Sequence, residues 1–127
     1  MFTTSRFSAV VCHPGFERDL KRLRKRFPTL ESDISTLINY ELAQFHKEGM
    51  ETGSILRIAG LGFDGPDVYV AKRIACRALK HKGSNTGLRL TYAWFPDAGR
   101  IELIELYYKP DQPIEDKARI RRLYAGR

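Results

Sequence analysis

Side chains able to meet an anion recur at alternating positions in three strand-like runs. Successive side chains of an extended chain point to opposite faces, so residues two apart share one. In Val68 to Arg77, the residues Tyr69, Arg73, Ala75 and Arg77 take one parity against Val70, Ile74 and Cys76. In Gly87 to Phe95, the residues Arg89, Thr91 and Ala93 oppose Leu88, Leu90, Tyr92 and Trp94. In Arg100 to Lys109, the residues Glu105, Tyr107 and Lys109 oppose Ile104, Leu106 and Tyr108. One assignment serves all three runs. The apolar sets turn toward a core, and Arg73, Arg77, Arg89, Tyr107 and Lys109 share the other face with Glu105 nearby. Cations gathered on one surface attract phosphate, and their localisation points to nucleic acid more strongly than total charge does. A solvated sheet face is the plain alternative. Lys72 alone falls on the apolar side, where it must snorkel or sit at an edge.

Two further basic segments flank this pattern. Lys80-His81-Lys82-Gly83-Ser84-Asn85-Thr86-Gly87 links two of the runs. It lacks the glycine and lysine spacing of a Walker-type loop. Arg18, Lys21, Arg22 and Lys25 lie along a helical segment. Lys80, His81, Lys82, Arg22 and Lys25 are therefore candidates for contact with a phosphate backbone. Other chemistries find no support. His13, His46 and His81 are not spaced with Cys, Asp or Glu in a zinc pattern, so no metal and no cofactor are expected. There is no nucleophile elbow and no dinucleotide fingerprint. Cys12 and His13 are strand neighbours that face opposite ways, and Glu102 and Glu105 differ in strand parity.

The elements that must hold these residues are legible from periodicity. Phe7 to Cys12 is short and apolar, which suits a strand, and His13-Pro14-Gly15 punctuates it. Phe16, Leu20, Leu23 and Phe27 form a helical stripe, and Pro28 ends it. Leu30, Ile34, Leu37, Ile38, Leu42 and Phe45 mark a second helix, antiparallel to the first, with Glu31 and Asp33 favourably placed in its first turn. Lys47 to Asp67 is a glycine-rich connection with room for a short extended piece near Ile55 to Ile58. Pro96-Asp97-Ala98-Gly99 predicts a hairpin between the last two runs. Asp111 as N-cap and Pro113 in the first turn open a short C-terminal helix containing Ile114, Ile120, Leu123 and Tyr124. The order is strand, two antiparallel helices, three strands, helix: a small antiparallel sheet in an α+β domain.

Bulk composition agrees with one domain over 1–127. The chain has 127 residues and is 43% hydrophobic, enough for one core. Lys and Arg number 22 against 15 Asp and Glu, a formal charge of +7 that suits an anionic partner. The two cysteines, far apart, fit a reducing compartment. No signal peptide is legible, and no apolar run approaches the roughly 18 residues a membrane helix needs. A soluble cytoplasmic protein is expected.

The segments Val68-Tyr69-Val70-Ala71-Lys72-Arg73-Ile74, Gly87-Leu88-Arg89-Leu90-Thr91-Tyr92 and Ile101-Glu102-Leu103-Ile104-Glu105-Leu106-Tyr107-Tyr108-Lys109, with Phe16-Glu17-Arg18-Asp19-Leu20-Lys21-Arg22-Leu23 before them, resemble the RelE/ParE-type toxins of type II toxin–antitoxin systems, closest to the RelE and HigB-like branch. The resemblance spans about residues 7 to 124. It implies a microbial RNase-type fold, ribosome-dependent mRNA cleavage without a metal, and neutralisation by a cognate antitoxin, as a hetero-oligomer or alongside a homodimer. By position, Arg89 matches the family's phosphate-stabilising arginine, Arg73 and Arg77 occupy the strand that carries further cations, and Lys109 matches the cation ending the last strand. Asp111-Gln112-Pro113-Ile114 offers no match for the C-terminal tyrosine that some members use. Tyr107, Tyr124 and His81 are the alternatives for proton transfer. A gyrase-directed toxin of the ParE kind, and a catalytically inactive nucleic-acid or antitoxin-binding module, are the competing functions.

Overall fold

A computed structural model describes residues 2–79 and 81–126. Strand β1 (Ala9–Cys12) leads into helix α1 (Pro14–Leu23), with Pro14 in the first turn, where its missing N–H costs nothing. Phe16, Leu20 and Leu23 line the buried stripe of α1. Pro28 separates it from α2 (Leu30–Leu37), which continues through a π-helical turn (Ile38–Leu42) into α3 (Ala43–Glu48). Gly49, at φ +68°, takes the left-handed conformation that closes this rod. Strands β2 (Ile55–Arg57), β3 (Asp67–Ala71), β4 (Leu88–Phe95) and β5 (Arg100–Tyr108) follow, and α4 (Lys117–Tyr124) completes the chain of elements.

The fold is α+β, and its sheet is mixed rather than wholly antiparallel. Strand order is β1-β5-β4-β3-β2. β1 runs parallel to β5, with Ala9 opposite Arg100 and Cys12 opposite Leu103, while the other neighbours are antiparallel. The extended piece near Ile55 is a true strand, so four strands follow the helices instead of three. The expected hairpin joins β4 to β5, with Gly99 at φ +66°.

β3 stops at Ala71, well short of the expected Arg77. Arg73 adopts φ +55°, a left-handed backbone uncommon for a side-chain-bearing residue, and the chain leaves the sheet there. The departing segment is tied to the start of α2. The Arg77 and Ala78 amides donate to the Asp33 carboxylate and the Thr29 hydroxyl, and the Thr86 hydroxyl donates to the Ile74 carbonyl at 2.6 Å. Ile74 and Cys76 are buried against the helices all the same.

Two cores sandwich the sheet. Phe16, Leu20, Leu30, Ile34, Ile38 and Leu42 pack on one face with Leu88, Leu90, Tyr92, Leu103 and Leu106. Ile58, Leu61, Val68, Val70, Ala93, Ile104, Ile120 and Tyr124 form the second core on the other face, under α4. Val70 and Ile104 thus lie opposite to their expected side. For Val70 the strand ends before the parity with Ile74 applies. For Ile104 the cause is a β-bulge: Thr91 pairs with Glu105 but Tyr92 pairs with Leu103, which leaves Ile104 as the extra residue.

β1 is too short to cover the far half of β5. The buried Asp19 of α1 closes that edge by accepting from the Leu106 amide at 3.0 Å and from Arg119 of α4 at 2.8 Å. Arg119 also donates to the Ile104 carbonyl. It lies across Gly15, where an added Cβ would come within 3.1 Å of its guanidinium. The cap of α4 is Asp116, whose carboxylate accepts from the Arg119 amide. Asp111 does not serve as that cap; its carboxylate is engaged by Arg26 at 2.7 Å.

Candidate nucleic-acid interface

The clean alternation of β4 and the far half of β5 places Arg89 directly opposite Tyr107, and Thr91 directly opposite Glu105. All four belong to the face that α4 covers. Arg89 is half-buried, whereas Thr91, Glu105 and Tyr107 are buried. The Tyr107 hydroxyl and the Thr91 hydroxyl have no hydrogen-bond partner among the described residues. Burial pushes the Tyr107 phenol up, and the Arg89 guanidinium beside it opposes that shift without the geometry of a full hydrogen bond. Burial likewise pushes the Glu105 carboxyl up. One Glu105 oxygen accepts from the Gln112 side chain at 2.7 Å and the other from the Asp116 amide at 2.9 Å, and both bonds oppose the rise.

Lys109 follows the end of β5 and is exposed, its amide bound to the Gly87 carbonyl at 2.8 Å. Gly87 needs its φ of +84°, and a Cβ there would sit 3.4 Å from Pro110 and Tyr108. His81 and Lys82 are exposed on the loop entering β4; Lys80 lies outside the described residues. Lys25 is exposed just past α1, and the adjacent Arg26 guanidinium sits 4.9 Å over the Tyr108 ring. The basic end of α1 therefore borders the end of β5 that carries Lys109. Arg22 is exposed, 3.5 Å from Asp19.

Arg73 and Arg77 do not join Arg89. They line a groove of about 380 Å³ beside α2, with Tyr40 and Ser84. Arg77 pairs with Asp33 at 3.2 Å and bonds Ser32. The parity placement for these two is corrected, because the strand that would have carried it ends at Ala71. This face is not an open, solvated one either: α4 and the connection before it close over much of it.

A second polar cluster lies at the opposite end of the same face. The Glu102 carboxylate accepts from the Tyr124 hydroxyl at 2.8 Å and from Arg100 at 3.1 Å, with His13 at 2.9 Å. Burial alone would raise the Glu102 carboxyl, but hydrogen bonds from Tyr124, His13 and Arg100 outweigh it and hold the group below its ordinary value. The bulge puts Glu102 and Glu105 on one side of the sheet, against their expected opposition. Tyr124 is engaged here, roughly 17 Å along β5 from Tyr107 at about 3.3 Å per residue. Of the three proton-transfer alternatives, Tyr107 alone stands in register with Arg89.

Thr91, Gln112 and the full environment of Glu105 were not singled out as site residues from sequence. The available signal was a carboxylate inside the apolar run Ile101 to Tyr108. Among the described residues, no helix is long and apolar enough to cross a membrane, and no group of three or more His, Cys, Asp or Glu is arranged to hold a metal ion. Comparison with protein-family models, curated proteins and solved structures finds no match to this chain.

Proposed function

We propose that this chain is a RelE/ParE-type toxin that cleaves mRNA on the ribosome without a metal, in the cytoplasm, and that a cognate antitoxin neutralises it. The observation that carries the reading is the cross-strand pair Arg89 and Tyr107 on the β4–β5 hairpin, with Lys109 exposed at its open end. Attack of a ribose 2′-hydroxyl on the adjacent phosphate builds negative charge on the phosphate oxygens, and preorganised cations stabilise it. Arg89 and Lys109 supply that charge, and Tyr107 supplies a proton-transfer group beside it. Lys82, His81, Lys25 and Arg22 hold the RNA backbone or ribosomal RNA. Arg73 and Arg77 contribute from outside this centre, as backbone contacts.

The closed state of the face favours a second reading, a module that binds nucleic acid or antitoxin without cleaving. Inducible expression of the wild type and Arg89→Ala, followed by growth, translation and mRNA integrity, separates the readings. The nuclease reading expects growth arrest with fragmented mRNA, and a loss of both in Arg89→Ala. Arrest with intact mRNA would transfer support to a gyrase-directed toxin, and absence of arrest to the binding module.

A further inference from the structure

On the helix side of the sheet, away from α4, the π-helical turn (Ile38–Leu42) buries Ile38 and Leu42 but leaves Tyr40 64% exposed. A π-turn sets one extra residue into a helix and recurs at functional sites. Here it keeps both aliphatic side chains in the core and presents an aromatic ring to solvent. Two grooves meet at that ring. One, of about 510 Å³, runs between α2 and the N-terminal segment, and Thr3, Thr4, Ser5 and Ser35 line it. The other is the groove of about 380 Å³ that holds Arg73, Arg77 and Ser84. Thr36 and Tyr40 border both. The carboxylates on the arginine side are already engaged: Asp33 accepts from Thr29 and Arg77, and Glu41 accepts from Ser54. Arg73 is exposed, and nothing among the described residues pairs with it. Its left-handed backbone is one that glycine or asparagine adopts more readily, so the turn itself does not account for an arginine there.

We propose that Tyr40 and Arg73 form a contact for single-stranded nucleic acid, with a base stacking on the Tyr40 ring and the adjoining phosphate meeting Arg73. The proposal goes beyond the cleavage reading and does not rest on it, since binding here needs no reaction at the β4–β5 hairpin. A lone phosphate would call for the arginine only. A ring beside an uncompensated cation suits a ligand that carries a flat π-face next to its charge, and every base of an unpaired strand does so whatever its sequence. Paired bases are stacked on one another and hide those faces, so a duplex fits the ring poorly. The hydroxyls of Ser35, Thr36 and Ser84 are placed along the two grooves to meet sugar and base edges. Arg77, held by Asp33 and Ser32, is a fixed second cation on the same side. Both grooves are of a size that holds a small ligand, and together they continue past Tyr40 on either side, as a strand longer than one nucleotide requires.

The test uses the full chain and a short oligoribonucleotide methylated at every 2′-oxygen, which can be bound but not cleaved. Tyr40→Ala should weaken binding about tenfold, the loss of one stacked base, while Tyr40→Phe keeps the ring and should stay within about twofold of wild type. Arg73→Asn removes the charge and leaves a residue at ease in the left-handed backbone, so the turn survives; it should lower the logarithmic salt slope by about 0.7. With 5-iodouracil in the strand, irradiation should crosslink Tyr40, read by mass spectrometry of the digested complex. Equal affinity in Tyr40→Ala and wild type, a duplex of the same sequence bound as tightly through Tyr40, or crosslinks confined to the loop before β4 and to Lys109 each overturns the proposal. A phosphotyrosine peptide that binds where the strand does not would reassign the groove to phosphopeptides. A wild type that binds no single strand removes the proposal outright, and the cleavage reading is judged separately, by mRNA integrity.

Discussion

Arg89 was legible from sequence because β4 alternates without interruption, so a parity argument places its side chain correctly. Arg73 and Arg77 were not, because their run breaks at a left-handed arginine and its hydrogen-bond partners come from α2, more than forty positions earlier. No local pattern encodes such partners. His46 shows the same limit in another way. Its ring sits among Phe45, Tyr69 and Trp94, and its Nε2 meets the Tyr92 hydroxyl at 2.7 Å. Burial lowers it to about 4, from an ordinary value of 6.5. In the folded chain it therefore binds fewer protons than in the unfolded chain between those two values. Stability is fully present above pH 6.5 and declines as pH falls toward 4. Urea unfolding at pH 7 and pH 5 should show a midpoint drop in the wild type that is smaller in His46→Gln; equal drops in both would refute this role for His46.

Helices were the most readable elements, since their apolar stripes are long and Pro28 marks the break between two of them. The start of α4 was harder. Asp111 and Asp116 both carry a capping side chain, and the choice fell to Asp116 because Arg26 engages Asp111 from across the molecule. Pairing direction was invisible for β1, whose short apolar run reads alike whether parallel or antiparallel. The bulge at Ile104 was equally hidden, and it put Ile104 and Glu102 on the face opposite to the one that parity gives them. The closure of the β5 edge by Asp19 gives this level its own test. Asp19→Ala strands the buried Leu106 amide and frees Arg119 from its nearest partner. Chemical denaturation should show a loss of about 2–3 kcal/mol with an unchanged slope. A loss below about 0.5 kcal/mol would mean that the edge is closed by other means.

At the scale of the whole molecule, basic side chains border the end of β5: Lys109 follows the strand, and Arg26 lies over Tyr108 while it binds Asp111. The hairpin at the other end carries both signs, Asp97 with Arg100 and Asp67 paired to Arg57. The total of +7 was plain in the composition, but its distribution required the fold. If RNA docks at the basic end, its affinity falls with added salt, and each of Lys82→Ala and Lys109→Ala lowers the logarithmic salt slope by about 1. Asp97→Ala should leave that slope unchanged, and a change equal to that of the lysine variants would displace the docking end. The parallel pairing of Ala9 with Arg100 carries a last consequence, for birth rather than binding. During synthesis β1 has no neighbour until the residues from Arg100 onward have been made. A chain that ends before Arg100 leaves β1 with no strand to join, and the sheet is left without its parallel pair.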